Sequence, residues 1–260
     1  MKDITVIKIG GSTFGSRDTT IEDIVALQKK GEAMVVVHGG GGTVTDWLKR
    51  LGVGTEFVRG ERVTDLPTLE VATAVLAGLA NKEITAAINI GGGRAVGISG
   101  VDGALMESKA KSREMGYVGE VVKVNTNLLE TLLEAGFAPV VSPISLYSID
   151  RPGDAPAMIN VNGDPAAGDL AEALGATRLV FLTDVGGITD ASGAVLSKIS
   201  VGEAEEFIAS GVVSGGMIPK INACLKALNK GSITRIIDGR KPHALLKEFD
   251  GQDGGTTIYK

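Results

Sequence analysis

The sequence predicts an α/β fold with a mainly parallel sheet. Three observations carry that expectation. Short apolar runs alternate with segments of helical spacing almost from end to end. Some of the runs, such as AMVVV at Ala33 to Val37, are apolar throughout, as a strand buried on both faces must be. The 37 glycines of the 260 residues gather beside those runs, at Gly10-Gly11, Gly39 to Gly42, Gly91 to Gly93, Gly186-Gly187 and Gly215-Gly216. Glycine lets a backbone approach a ligand closely, so several such loops at strand ends suggest a phosphate-rich ligand held by backbone amides.

The elements follow in order. Thr5 to Ile9 is a strand ending at Gly10-Gly11, and Ile21 to Lys29 has helical spacing. The strand Ala33 to Val37 runs into His38 and four glycines, and a helix follows over Thr43 to Leu51. Phe57 to Val63 reads as a strand or as half of a hairpin. Leu66 to Ile88 is a long helical pattern, with Asp65 placed to cap it and Pro67 in its first turn. Ala95 to Ser99 is a strand before a turn at Asp102-Gly103, Tyr117 to Val124 alternates like a hairpin strand, and Leu128 to Ala135 is a helix stopped by Gly136. After a strand at Pro139 to Ser142, the stretch 150–155 (DRPGDA) reads as a loop or hairpin tip. Met158 to Asn162 leads into a helix with Asp164 as its expected cap and Pro165 as its first residue, ending at Gly175. Strands at Arg178 to Leu182 and Thr234 to Ile237 bracket helices at Glu203 to Ser210 and Met217 to Asn229. A short helix at His243 to Phe249 and a closing strand at Thr256 to Tyr259 complete the chain. One domain over residues 1–260 is expected, with two lobes on one sheet meeting near Ala176.

Composition narrows the function. A net charge of −5 with no basic block argues against nucleic acid. No apolar run approaches the ~20 residues that span a bilayer, and no signal-peptide pattern follows Met1. One cysteine, Cys224, and two histidines exclude a disulfide framework and the usual zinc sites, and a cytoplasmic setting is expected. GxxxxGK[ST] and a strand-borne GxGxxG are both absent, so the glycine loops belong to another phosphate-binding scheme.

Several side chains could then carry chemistry. Lys8, before Gly10-Gly11, would set an ammonium beside exposed amides at the sheet end where ligands bind; alone it could equally be a solvated edge lysine. His38 reads as a packed histidine rather than a base, since nothing nearby forms a nucleophile pair with it. Arg62 suits a carboxylate bidentately, or is a surface arginine. Asn160 and Asn162, at period two, would face one side of an extended segment. Lys220, one turn into a helix, opposes the helix dipole and suggests a bound anion.

Nine stretches carry a family resemblance: KIGGS from Lys8, VVVHGGGG from Val35, GERVTDLPT from Gly60, GLANK from Gly78, AVGISGVDG from Ala95, YVGEVVKVN from Tyr117, INVNGDPAA from Ile159, FLTDVGGI from Phe181 and GGMIPKINA from Gly215. In this order and over nearly the whole chain, they resemble the amino-acid kinase family, most closely its N-acetylglutamate kinases. The resemblance implies a three-layer α/β/α sandwich, with the acceptor bound by an N-terminal lobe (about 1–175) and ATP, with its Mg²⁺, by a C-terminal lobe (about 176–260). It implies transfer of the γ-phosphoryl of ATP to the side-chain carboxylate of N-acetyl-L-glutamate, on the path to arginine.

Position by position, Lys8 and Lys220 match the lysines that stabilise the transferring group, and Asp164 the aspartate that orients them. Gly40, Gly41, Arg62 and Asn160 match acceptor-binding positions, with Asn162 beside them. Gly10 and Gly11 match the phosphate loop. The nucleotide segments match Asp184, Val185, Gly186, Gly187, Ile188 and Thr189, then Val212, Val213, Ser214 and Met217. No protein-borne metal site is implied. Pro165 departs from the glutamine common in relatives, and the helix that precedes the first strand in arginine-inhibited relatives has no counterpart before Lys8. A homodimer insensitive to arginine is the resulting expectation. A kinase acting on aminoadipate or glutamate attached to a carrier protein shares the same loops. A non-catalytic sensor of amino acid and nucleotide is an expectation of another class, which the retained lysines and aspartate argue against.

Overall fold

The computed structural model describes residues 3–10, 19–58, 60–190, 192–252 and 254–260. Among these, eleven strands form one sheet, in the order β11 (Lys198–Ser200), β13 (Thr256–Tyr259), β12 (Ile233–Asp238), β10 (Arg178–Thr183), β1 (Ile4–Ile9), β2 (Ala33–His38), β8 (Ala138–Tyr147), β6 (Met106–Ala110), β7 (Val118–Val124) and β9 (Met158–Val161), with β5 (Ala95–Gly100) also on β8. The pairings through β12, β10, β1, β2, β8 and β5 are parallel, while β12–β13, β6–β7 and β8–β9 are antiparallel. The sheet is therefore mainly parallel, as expected.

Strand periodicity splits the core into two faces. Val6, Val35, Val37, Leu179 and Phe181 point to one cluster, while Ile7, Ile9, Met34, Val36, Val180 and Leu182 point to the other. The first face is covered by α5 (Asn127–Glu134), α6 (Gly163–Leu174), α7 (Val201–Ala209) and α8 (Met217–Leu228). The second is covered by α1 (Thr20–Lys29), α4 (Asn81–Ile90) and α9 (Ala244–Phe249). This is a three-layer sandwich. Lys8 alternates with Ile7 and Ile9, so the strand turns its side chain to the α6 side of the sheet.

The remaining elements close over the sheet edge. Phe57 to Val63, expected as one strand or half of a hairpin, instead holds a whole hairpin of β3 (Phe57–Val58) and β4 (Glu61–Arg62). Helix α2 (Gly41–Arg50) and α3 (Leu66–Thr73) share a smaller core with Ile144. Asp65 caps α3 through the Thr68 amide at 2.9 Å. From α3 the helix continues through a π-helical stretch, Ala74–Ala80, into α4, making one helix over Leu66–Ile90. It is long and apolar enough to meet the length of a membrane span, although no such run was expected. Leu69, Ala72, Ile84 and Ile88 dock it on the protein core, whereas Leu79 and Ile90 are exposed.

Three further expectations are corrected, and two strands are added. The strand expected at Pro139 to Ser142 runs from Ala138 to Tyr147, through Pro143. Proline is accommodated because the β5–β8 register shifts there, Ser99 facing Ser142 but Gly100 facing Ser145. β6, whose MESKA sequence is half polar, and the three-residue β11 have no strand-like run and were not expected. The cap of α6 is Asn162, whose Oδ1 accepts the Asp164 amide at 3.1 Å, so Asp164 stands inside the first turn. The helix expected from Glu203 starts at Val201, on a Ser200–Glu203 capping box.

Helices α6 and α8 approach unusually closely. A Cβ on Gly168 would lie 2.8 Å from Ala223 Cα and 2.9 Å from its carbonyl oxygen. Gly168 is one turn beyond Asp164 and Ala223 nearly one turn beyond Lys220, so the contact and those two side chains share one seam.

Candidate active site

Lys8 enters from β1, Asp164 from the first turn of α6 and Lys220 from the first turn of α8. They meet. Lys8 Nζ lies 2.5 Å from Asp164 Oδ1, and Lys220 Nζ donates to Asp164 Oδ2 at 2.8 Å. Lys220 Nζ also donates to the Gly216 carbonyl at 3.1 Å, holding its stem along the helix start. Lys8 and Asp164 are buried. Burial pushes the Asp164 carboxyl up, but the charges and hydrogen bonds of both lysines more than offset it and hold the group below the usual carboxylate range. Two cations on one carboxylate leave a net positive centre, a setting that attracts an anion.

That centre borders a cavity of about 250 Å³ lined by Lys8, Gly40, Gly41, Arg62, Asn160 and Asn162, among others. The sequence-expected acceptor residues therefore surround one space. Gly40 has φ +148°, and a Cβ there would sit 2.7 Å from Leu76 Cδ2, on the π-helical stretch, so a glycine is required between loop and helix. Arg62 Nη2 donates to the Gly41 carbonyl at 2.9 Å and to Thr45 Oγ1 at 2.7 Å, and its guanidinium stacks 4.7 Å from the Phe57 ring centroid. Its Nη1 is buried with no hydrogen-bond partner among the described residues, which is costly unless a ligand supplies one. Asn160 Nδ2 donates to Thr64 Oγ1 at 3.4 Å and Asn162 Nδ2 to Glu61 Oε1 at 3.3 Å.

His38 is fully buried. Its Nδ1 lies 2.7 Å from the Gly39 carbonyl oxygen, and its Nε2 faces Asn81 Nδ2 at 3.2 Å. That pairing makes Nδ1 the donor and Nε2 the acceptor. Burial, with the nearby Lys8 and Lys82 charges, lowers its pKa to about 4, against the Gly39 contact, so the ring is neutral at pH 7. It is a packed histidine that braces the glycine loop.

The residues expected at the nucleotide do not line this cavity. Gly10 donates its amide to Leu182 O at 3.1 Å, joining β1 and β10 at the end of the strands, and Gly11 lies outside the described residues. Asp184, Val185, Thr189, Val212 and Ser214 are exposed, with Gly186 and Met217 half-buried. Ile188 and Val213 are core side chains in the same apolar cluster, so only their backbones could meet a ligand. Gly187 is buried with φ +145°, and Thr256 Oγ1 pins the loop by accepting the Ile188 amide at 2.8 Å.

Sequence reasoning missed Asn81 and Glu61. Asn81 Nδ2 reaches His38 Nε2 and the carbonyls of Ile98 and Val140, tying the glycine loop to two strands. A lone asparagine in a long helix gives no sign of this. Glu61 stands next to Arg62 in GERV, and only the fold shows that it faces Asn162.

The chain is similar to known proteins over nearly its whole length. Residues 3–238 match the amino acid kinase family. An acetylglutamate kinase of Dehalococcoides mccartyi (strain CBDB1) is 51% identical over 98% of this chain and 94% of its own. One of Cereibacter sphaeroides (strain ATCC 17029 / ATH 2.4.9) is 46% identical over 99% and 87%. The crystal structure of smu.665 from Streptococcus mutans UA159 superposes with a TM-score of 0.83 at 27% identity, covering 100% of this chain and 99% of that one. With a matching sequence over nearly its whole length and a matching sandwich, the chain belongs to the amino acid kinase family.

Proposed function

We propose that the protein transfers the γ-phosphoryl group of ATP to the side-chain carboxylate of N-acetyl-L-glutamate, forming an acyl phosphate and ADP in arginine biosynthesis. The observation that carries the reading is the Lys8–Asp164–Lys220 centre beside a cavity where Arg62 Nη1 has no partner among the described residues. The acetylglutamate kinases that share about half its residues support the acceptor.

The chemistry suits these groups. A glutamate-type side chain titrates near 4.3, so the acceptor is already ionised at pH 7 and needs no base. A carboxylate oxygen attacks the γ-phosphorus as the bond to the β–γ bridging oxygen breaks, and ADP carries away that electron pair. The task is to bring two anions together and to stabilise the charge on the transferring group. Lys8 and Lys220 supply positive charge from either side of Asp164. Asp164 fixes both ammonium groups rather than taking a proton. Arg62 holds the acceptor's other carboxylate, with Gly40, Gly41, Asn160 and Asn162 around it. Mg²⁺ enters as part of the substrate MgATP and screens its phosphates. The nucleotide lies along Gly10, residues 184–189 and 212–217, so residues before about 175 serve the acceptor and those after serve ATP.

The working form is a homodimer in the cytoplasm. The continuous helix Leu66–Ile90 supports the dimer, since it exposes Leu79 and Ile90 beside Ala74 and Ala86 on its outer side. A single free thiol, Cys224, suits a reducing compartment.

The test is ADP release from MgATP with N-acetyl-L-glutamate, N-acetyl-L-aspartate, L-glutamate or no acceptor, with hydroxylamine trapping of the acyl phosphate. Turnover only with N-acetyl-L-glutamate is expected. Silence with every free amino acid overturns the reading and directs the next assay to a carrier-linked acceptor.

A further inference from the structure

The cavity beside the lysines has a neighbour of about 200 Å³, lined by Lys111, Gly119, Asp169 and Asn222 among others. Glu61 and Asn162 line both cavities, so their contact stands in the wall between them. Glu61 is odd there. It is a carboxylate, largely shielded from solvent, at the edge of a space whose other charged residues, among the described ones, are Lys8 and Arg62. An anionic ligand would be repelled by it unless its charge were neutralised and its atoms held.

Both conditions are met. Lys111 Nζ lies 2.5 Å from Glu61 Oε2, and its backbone is fixed by its own N–H, which donates to the Val118 carbonyl at 2.8 Å. The other oxygen, Oε1, accepts from Asn162 Nδ2 at 3.3 Å. The far side of that asparagine, Oδ1, accepts the Asp164 amide at 3.1 Å and caps α6. Asp164 then holds Lys8 and Lys220. A connected line of contacts thus runs from Lys111 through Glu61 and Asn162 to the lysine centre. It passes through Glu61, the hairpin residue next to Arg62, which faces the acceptor cavity.

We propose that Glu61 and Lys111 are positioning residues for phosphoryl transfer, acting through Asn162 to fix the first turn of α6 and tying the hairpin that carries Arg62 to the helix that carries Asp164. The proposal rests on the phosphoryl-transfer reading given above. A half-exposed ion pair adds little to stability. Its value here is geometric, because an asparagine with one amide hydrogen bond released can rotate, and the cap and the carboxylate behind it move with it. A displacement of about 1 Å at a reacting centre can cost up to about 100-fold in rate.

The experiment compares Glu61→Ala, Lys111→Ala, the double variant, Glu61→Gln and Lys111→Arg. With MgATP and N-acetyl-L-glutamate, Glu61→Ala is expected to lower kcat about 10- to 100-fold, with the KM for ATP and the melting temperature unchanged. The double variant is expected to be no slower than the worse single one, because both changes break the same line. Glu61→Gln keeps an acceptor for Asn162, and Lys111→Arg keeps the cation, so each recovers most of kcat. A second readout needs no substrate. Hydrogen exchange of the Gly163 and Asp164 amides should quicken in Glu61→Ala while exchange in β1 and β10 stays as it was. Additive losses, full activity in Glu61→Ala, or unchanged exchange at Asp164 each overturn the proposal. A wild-type enzyme silent toward N-acetyl-L-glutamate removes the substrate assignment instead, and the exchange result still decides whether the line of contacts exists.

Discussion

Lys220 reaches Asp164 across the seam between α8 and α6, its Nζ donating to Oδ2 at 2.8 Å. A lysine in a helix's first turn opposes the helix dipole, and this carboxylate accounts for its presence there. Lys8 takes the other oxygen of the same group. If the centre stabilises a transferring phosphoryl group, Lys8→Ala and Lys220→Ala each lower kcat by about 10²-fold or more, the scale for losing one such contact. Steady-state ADP release checks this, and near-native kcat in both variants would contradict the mechanism.

Arg62 predicts a different kinetic signature. Its Nη1 is buried without a partner among the described residues, and a charge-assisted hydrogen bond contributes about 1.5–3 kcal/mol. Arg62→Ala should therefore raise the acceptor KM about 10- to 100-fold while leaving the KM for ATP within about twofold. An unchanged acceptor KM would remove Arg62 from the site.

His38 makes stability depend on pH. Its folded pKa of about 4 lies below the unfolded value of 6.5, so between these limits the unfolded chain binds the proton and the folded chain does not. The neutral ring's contribution is complete above pH 6.5 and is lost as pH falls toward 4, about 3 kcal/mol in all. Urea unfolding at intervals across that range should show the wild type losing stability faster than His38→Gln as pH falls. Parallel curves would disprove it.

Cys224 is fully buried, which pushes its thiol up to about 12. The native protein should therefore fail to react with a thiol reagent at pH 8 on the timescale on which the urea-unfolded chain reacts completely.

The outer side of the Leu66–Ile90 helix predicts an interface. Ile90→Glu combined with Leu79→Glu should convert a dimer to a monomer by light scattering, because both side chains are exposed and neither supports the core. A wild-type monomer would overturn the homodimer.

How much of this was legible in the sequence follows from how local each signal is. Buried parallel strands announce themselves as apolar runs, so β1, β2 and β10 were read to within a residue. β6 and β11 were not, because MESKA and KIS acquire strand character only from partners distant in the chain. Pro143 read as a strand end, since the register shift that accommodates it is a property of the pairing with β5. Asp164 and Asn162 exchanged roles at the cap because both are good cap residues and only the backbone decides which one stands outside the helix. That Lys8 and Lys220 share one carboxylate is invisible to spacing. They lie more than two hundred residues apart, and it was family likeness that put them together.

The missing side chain at Gly168 has a consequence for anyone seeking a sturdier version of this enzyme. On propensity alone, alanine in mid-helix improves on glycine by about 0.5–1 kcal/mol. At this position the added methyl would meet the Ala223 backbone at 2.8 Å, and the backbone, unlike a flexible side chain, yields only by moving its helix. The two helices would part, and Lys220 would leave with α8. Overpacking of this kind costs about 1–3 kcal/mol, more than the helix gain, so Gly168→Ala should lower both the melting temperature and turnover, and a design rule that replaces mid-helix glycines by propensity alone fails at this position.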